Sequence, residues 1–156
     1  MKKLIGTLVL ALVFITGVSA QQTAPVRKKE YNVDKSGIAL QGYDPVAYFT
    51  DHKAVEGKQD IATVYNGITY RFASEEHRQT FKINPAKYEP QYGGWCAYAM
   101  GAKGEKVEIN PKTFKIVDGK LFVFYNKYFN NTLEKWNEDE AQLKNNADKN
   151  WTRFVK

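Results

Sequence analysis

Residues 61–72 read IATVYNGITYRF, and they give the clearest indication of the fold class. Two runs rich in Ile, Val, Thr and Tyr, 61–65 and 68–72, are joined by Asn66-Gly67. A type I′ turn needs positive φ at both of its central residues, and Asn-Gly meets that need at low cost. The stretch therefore predicts a β-hairpin.

A second hairpin and several short helices are predicted around the first one. Residues 114–117 and 121–125 flank an Asp118-Gly119 turn, which repeats the pattern of the first hairpin. Helix-start signals, each a capping residue or a Pro at the first helical position, lie at Asp44-Pro45, Ser74 and Asn84-Pro85. The tail over 130–154 is predicted to be mostly helical, with an apolar face of Leu133, Trp136, Leu143, Ala147 and Trp151.

These elements predict the fold class. Strands that pair through tight turns do not make a doubly wound sheet, because parallel strands need helical crossovers. We expect a small single α+β domain of two β-hairpins interleaved with short helices and a helical C-terminal tail.

The composition fits one folded domain and excludes several functions. Of 156 residues, 43% are hydrophobic, 14% aromatic and 26% charged, which is not a disordered composition. Cys96 is the single cysteine, so no intrachain disulfide forms, and two histidines exclude a large histidine-rich metal cluster. The formal charge is +6, but basic and acidic residues are interspersed, which argues against nucleic acid as a partner.

The N-terminus predicts export. Lys2 and Lys3 precede an uncharged, mostly apolar run over 4–18, and small residues at Val18 and Ala20 form a cleavage site. That run of about 15 residues is shorter than the roughly 20 that span a bilayer. We expect a secretory signal peptide over 1–20, a flexible leader over 21–30 and a domain over 31–156. The mature protein would be periplasmic or secreted, with no membrane span.

A series of short motifs resembles the YHS domain: Asp44-Pro45-Val46, Tyr70-Arg71-Phe72-Ala73-Ser74, Phe81, Asn84-Pro85 and Lys87-Tyr88. The longer stretches resemble the exported bacterial branch of that family: LQGYDPVAYF (40–49), PAKYEPQYGGWCAYA (85–99) and IVDGKL (116–121). The resemblance covers most of the chain after residue 30.

The resemblance implies a metal-related role, with a departure at the ligands. Metal-associated YHS domains occur beside transport modules for copper and other heavy metals, and they carry three cysteines. In this chain the matching positions are Ala47, Ala73 and His77. Alanine cannot bind a metal, so the scaffold carries over and the intact metal site does not. A metal-handling envelope protein is the partner that this resemblance implies.

Three other side chains suggest a soft-metal site: Cys96, His77 and Met100. His77 shares a helix face with Phe81 four residues later, so it should be partly buried and held in one orientation. Cys96 and Met100 share a face at their spacing whether the segment is helical or extended. A thiolate, an imidazole and a thioether suit Cu(I). The hypothesis is an exported, non-enzymatic module that binds copper or another soft metal through Cys96 and His77, with Met100 as a further ligand.

Two other functions are open at this stage. In a protein–protein interaction or structural envelope module, Cys96 would be a buried core residue and an exposed aromatic patch would lie elsewhere. An enzyme would use Cys96 as a nucleophile at the base of a pocket, His77 as its base and Asp44 to orient the base. Nothing in the sequence resembles a cysteine-hydrolase signature, so we expect no enzymatic activity. A metal site would instead require Cys96 and His77 donors about 2.0–2.3 Å from one ion.

Overall fold

A computed structural model describes residues 24–156. The expected signal peptide over 1–20 lies outside the described residues, and within them no helix has the length and apolar character to cross a membrane. The elements in chain order are α1 (Ala24–Glu30), α2 (Ala47–Thr50), β1 (Lys58–Tyr65), β2 (Ile68–Phe72), α3 (Glu75–Ile83), α4 (Pro85–Tyr88), α5 (Ala97–Ala102), β3 (Asn110–Val117), β4 (Lys120–Phe124), β5 (Asn126–Lys127), β6 (Asn130–Asn131), α6 (Thr132–Glu138) and α7 (Glu140–Trp151). Short 3-10 turns lie at Leu40–Gly42 and Gln91–Gly94.

The α+β class and both predicted hairpins are confirmed. Strands β1 and β2 pair antiparallel around Asn66-Gly67, where φ is 46° and 82°. Strands β3 and β4 pair around Asp118-Gly119, where φ is 51° and 69°. A third antiparallel pair, β5 with β6, was not expected from the sequence. In the described part of the chain each of these sheets has two strands.

Two of the three predicted helix starts are found, at Ser74 and at Asn84-Pro85. At Asp44-Pro45 the Asp44 carboxylate accepts the backbone N–H groups of Val46 and Ala47, but α2 begins only at Ala47, with Val46 as its N-cap. The Ser74 hydroxyl accepts the backbone N–H of His77 at 3.2 Å and caps α3, while Pro85 begins α4. Asn131 caps α6, because its side-chain oxygen accepts the backbone N–H of Leu133. These side chains satisfy backbone donors that have no partner within their own helix.

Strand β4 lies at the centre of the molecule. Leu121 and Val123 pack into the hydrophobic cluster that contains Cys96, and Phe122 and Phe124 pack into the cluster that contains Trp136. Successive side chains of a strand point to opposite faces, so β4 contributes to both clusters. The predicted apolar face of the C-terminal tail is confirmed, since its five residues belong to or pack against the Trp136 cluster.

Residues 24–30 differ from the sequence prediction of a flexible leader. They form helix α1, and the Arg27 side chain is buried in an ion pair with Glu89, with its guanidinium 4.4 Å from the centre of the Tyr31 ring. Burial lowers the pKa of Arg27, but the hydrogen bond and charge of Glu89 outweigh it and raise the pKa above its ordinary value. Because an ion pair and a cation–π contact hold this helix, it has no hydrophobic period from which it could be predicted.

Candidate functional site

His77 is held by a buried carboxylate. Its Nδ1 lies 2.7 Å from Oδ2 of Asp44, which is fully buried. Asp44 also accepts the backbone N–H groups of Val46 at 2.8 Å, Ala47 at 3.3 Å and Ala73 at 2.8 Å. One carboxylate therefore satisfies donors from two segments of backbone and one side chain. The prediction that His77 is partly buried in one orientation is confirmed.

The second nitrogen of His77 faces polar groups at the surface. Nε2 lies 3.4 Å from the Thr50 hydroxyl and 3.7 Å from Oδ1 of Asp51. The Thr50 hydroxyl also lies 2.8 Å from Asp51, to which it donates. Sequence reasoning missed Thr50 and Asp51, since nothing local joins them to a histidine 27 residues later.

The Cys96 thiol closes a ring of hydrogen bonds. The backbone N–H of Tyr125 donates to Sγ at 3.3 Å, and the Thr132 hydroxyl donates to the Tyr125 carbonyl at 2.8 Å. Because the single hydroxyl proton of Thr132 is bonded to the Tyr125 carbonyl, the Cys96 thiol is the donor in its 3.4 Å contact with Thr132 Oγ1. Cys96 is fully buried in an otherwise apolar cluster. Its thiol therefore acts as both acceptor and donor inside the core.

Met100 packs separately from Cys96. Cys96 immediately precedes α5 with φ −57° and ψ 116°, so it is not part of the helix and the helical spacing rule does not apply. The Cys96 side chain enters the cluster with Leu121, whereas Met100 is fully buried in the cluster with Trp136. The predicted shared face of the two sulfur side chains is therefore wrong.

The three expected metal ligands have different surroundings. Across residues 24–156, the hydrogen-bond partners of His77 and Cys96 do not overlap, and no group of three or more His, Cys, Asp or Glu side chains is placed to hold a metal ion. Cys96 also has no hydrogen bond to a histidine in this part of the chain. Within residues 24–156 the Cys96 thiol is therefore not hydrogen-bonded to an imidazole, and metal binding through Cys96 and His77 stays a prediction.

A cavity of about 200 Å³ lies beside Cys96. It is smaller than the roughly 300–1,000 Å³ typical of sites for drug-sized ligands. Its lining residues are Cys96, Tyr98, Ala99, Lys103, Glu105, Val107, Tyr125, Asn130 and Thr132. Several of these residues belong to or flank the β5–β6 hairpin, so the cavity lies along the base of that hairpin.

The β5–β6 hairpin exposes two aromatic rings at its tip. Tyr128 and Phe129 have relative exposures of 88% and 111%, and their φ angles are 52° and 61°. Asn126 pairs with Asn131 and Lys127 with Asn130, so the two rings occupy a two-residue turn. We call residues 126–131 the aromatic hairpin. The sequence pattern that could have indicated this hairpin is an aromatic pair between Lys and Asn residues, KYFNN over 127–131.

The other large apolar side chains that are exposed within residues 24–156 are single residues on two different elements. Val64 is 68% exposed on β1 and Ile83 is 87% exposed at the end of α3. Single exposed apolar residues are normal on protein surfaces, whereas an adjacent aromatic pair in strained backbone is not. No protein-family model, curated protein or solved structure matches this chain.

Proposed function

We propose that the protein is a non-enzymatic binding module whose contact element is the aromatic hairpin. The observation that carries this proposal is the pair Tyr128-Phe129, fully exposed in a turn that favours Asn and Gly. Left-handed backbone costs about 1–2 kcal/mol for each L-residue, and exposed rings return no burial energy to the fold. Backbone strain that does not serve packing is typical of functional sites.

The surroundings of Cys96 support a structural role for this residue. Tyr125 and Thr132 are the residues on either side of the aromatic hairpin, and both bond to the Cys96 thiol. Tyr125 and Thr132 also bond to each other through the carbonyl of Tyr125. Cys96 therefore fixes the base of the hairpin to the core and leaves the tip free to contact a partner. This agrees with the alternative in which Cys96 is a buried residue of an interaction module.

Copper binding through Cys96 and His77 has less support. The two side chains bond to different groups, and Met100 belongs to another cluster. A titration of Cu(I) into the protein, with Cys96→Ala and His77→Ala variants alongside, tests this function directly. Stoichiometric binding that is lost in both variants would establish the metal site and displace the present proposal. The resemblance to exported YHS domains is compatible with either kind of binding module.

The proposed contact is tested by photocrosslinking in cells that express the full chain. A photoreactive benzoylphenylalanine replaces Phe129 in one variant and Ile83 in a matched control, since both positions are highly exposed. We expect a discrete adduct, to protein or to lipid, from position 129 and a much weaker one from position 83. Equal yields at the two positions, or no adduct at position 129, would contradict the proposed function.

A further inference from the structure

The shape of the aromatic hairpin narrows the kind of partner. The tip is a two-residue turn on a ladder of two residue pairs, so it is a narrow convex projection. Two aromatic side chains bury about 150–250 Å² each, well short of the roughly 800 Å² per partner of a standard protein interface. A lipid headgroup layer accepts a small convex tip, because Tyr and Trp rings and other amphipathic side chains favour that interface.

The chemistry around the tip is amphipathic. Lys127 is exposed next to Tyr128, and Asn130 is exposed next to Phe129. The Phe129 ring would enter the acyl boundary, and the phenol of Tyr128 would remain at headgroup level. The ammonium of Lys127 would pair with a lipid phosphate at the same depth.

The charge of the protein also favours an anionic surface. Without Lys2 and Lys3, the formal charge of +6 becomes +4 for the remaining chain. Strand β3 carries Lys112, and this strand contacts the base of the hairpin through the hydrogen bond from Asn126 to Thr113. Lys103 lines the same cavity as Asn130. Two acidic residues lie at the base of the hairpin: Glu105, which lines the same cavity, and Glu134, which bonds to Asn131. At the tip itself, the charged side chain next to the two rings is that of Lys127.

Resting on the proposed function, we infer that the partner of the aromatic hairpin is the surface of an anionic lipid bilayer. The rings of Tyr128 and Phe129 insert at the headgroup boundary, and Lys127 pairs with lipid phosphate. The body of the domain stays outside the bilayer. The contact is peripheral, and ionic strength weakens its electrostatic part.

The inference is tested with purified full-chain protein and vesicles of defined composition. Benzoylphenylalanine at position 129 or at position 83 is irradiated with vesicles of phosphatidylcholine alone or with phosphatidylglycerol added, and lipid adducts are measured by mass spectrometry. This readout is local, so binding through residues 1–23, which all variants share, does not mimic it. We expect a lipid adduct at position 129 on anionic vesicles and loss of that adduct when the photoreactive group is at position 83, because only the hairpin tip enters the headgroup layer.

One further variant and one change of ionic strength define the contact. Lys127→Gln and a rise to 1 M salt should each lower the adduct yield at position 129, because screening shortens the reach of charge to about 3 Å. Equal yields on neutral and anionic vesicles would overturn the anionic specificity. No lipid adduct at position 129, together with a protein adduct in the cellular experiment, would overturn the lipid inference and leave the proposed function standing. Absence of both adducts would overturn both.

Discussion

Replacement of Tyr128-Phe129 by Asn-Gly should make the protein more stable. Both residues have positive φ in a two-residue hairpin turn, and Asn-Gly is the pair that adopts this geometry most readily. The two rings are 88% and 111% exposed, so their removal forfeits no buried area. If the pair is retained for contact with a partner, the fold should gain from losing it.

The size of the gain follows from the backbone. Left-handed φ costs an L-residue about 1–2 kcal/mol, and both Asn and Gly tolerate this region much better. Gly at the second position gives the unfolded chain more conformational freedom, which lowers the free energy of unfolding by about 0.5–1 kcal/mol. The expected net increase in the free energy of unfolding is about 1–2 kcal/mol. For a domain of this size, that is a rise in Tm of roughly 3–8 °C.

Urea unfolding of the wild type and the double variant Y128N/F129G measures this difference. The midpoint should rise with the m-value unchanged, because the surface exposed on unfolding is nearly the same. Ile83→Ser is the matched control, since it removes a highly exposed apolar residue from unstrained helix and should change stability by less than about 0.5 kcal/mol. A double variant less stable than the wild type would contradict this expectation, since the rings would then be stabilising the fold.

Three further outcomes test the site, and a fourth tests the ion pair between Lys106 and Glu30 at the end of α1. Cys96→Ala should lower the free energy of unfolding by about 1–3 kcal/mol, and more than Cys96→Ser, because Ala leaves a buried amide unpaired; equal losses would contradict the hydrogen-bond ring. His77→Ala and Cys96→Ala should be additive within about 0.5 kcal/mol with or without Cu(I), and coupling that appears with Cu(I) would show a shared site. Asp44→Asn should cost about 3 kcal/mol in chemical denaturation, because an amide cannot accept four donors; a neutral result would contradict the buried carboxylate. The hydrogen bond from Lys106 lowers the pKa of Glu30 below its usual 4.5, so the contribution of this pair to the free energy of unfolding is complete above pH 4.5 and is lost as the pH falls through the lowered pKa. Lys106→Met should therefore flatten the acid dependence of stability measured by unfolding curves. An unchanged acid dependence would exclude the pair as its source.

The first two hairpins were predictable because their turn chemistry agrees with their geometry. Asn66-Gly67 and Asp118-Gly119 are residues that adopt positive φ readily, so the local signal and the fold coincide. The turn of the aromatic hairpin has Tyr and Phe in the same geometry, and no local rule predicts that. Local preference and structure therefore disagree at the segment we assign to binding, which is where such disagreement is expected.

The candidate site was predicted in part. The position of His77 on its helix correctly indicated a half-buried, oriented ring. Its contact with Asp44, 33 residues earlier, is the one that the enzyme alternative proposed, although the Cys96 thiol does not join it. The spacing of Cys96 and Met100 was misleading, because it assumes one regular element and Cys96 lies just before α5. Helix α1 was also missed, because the ion pair between Arg27 and Glu89 that anchors it joins distant parts of the sequence and leaves no local pattern.

Because the aromatic hairpin is closed at its base, its six residues can be exchanged as one unit. The Tyr125 carbonyl accepts both the N–H and the hydroxyl of Thr132, so the chain enters and leaves the hairpin at nearly the same point. A segment whose two ends are already joined can be shortened, lengthened or replaced with little loop-closure cost to the rest of the domain. The domain can thus be given a different contact surface by grafting another turn between Tyr125 and Thr132, with its three hydrophobic clusters left untouched.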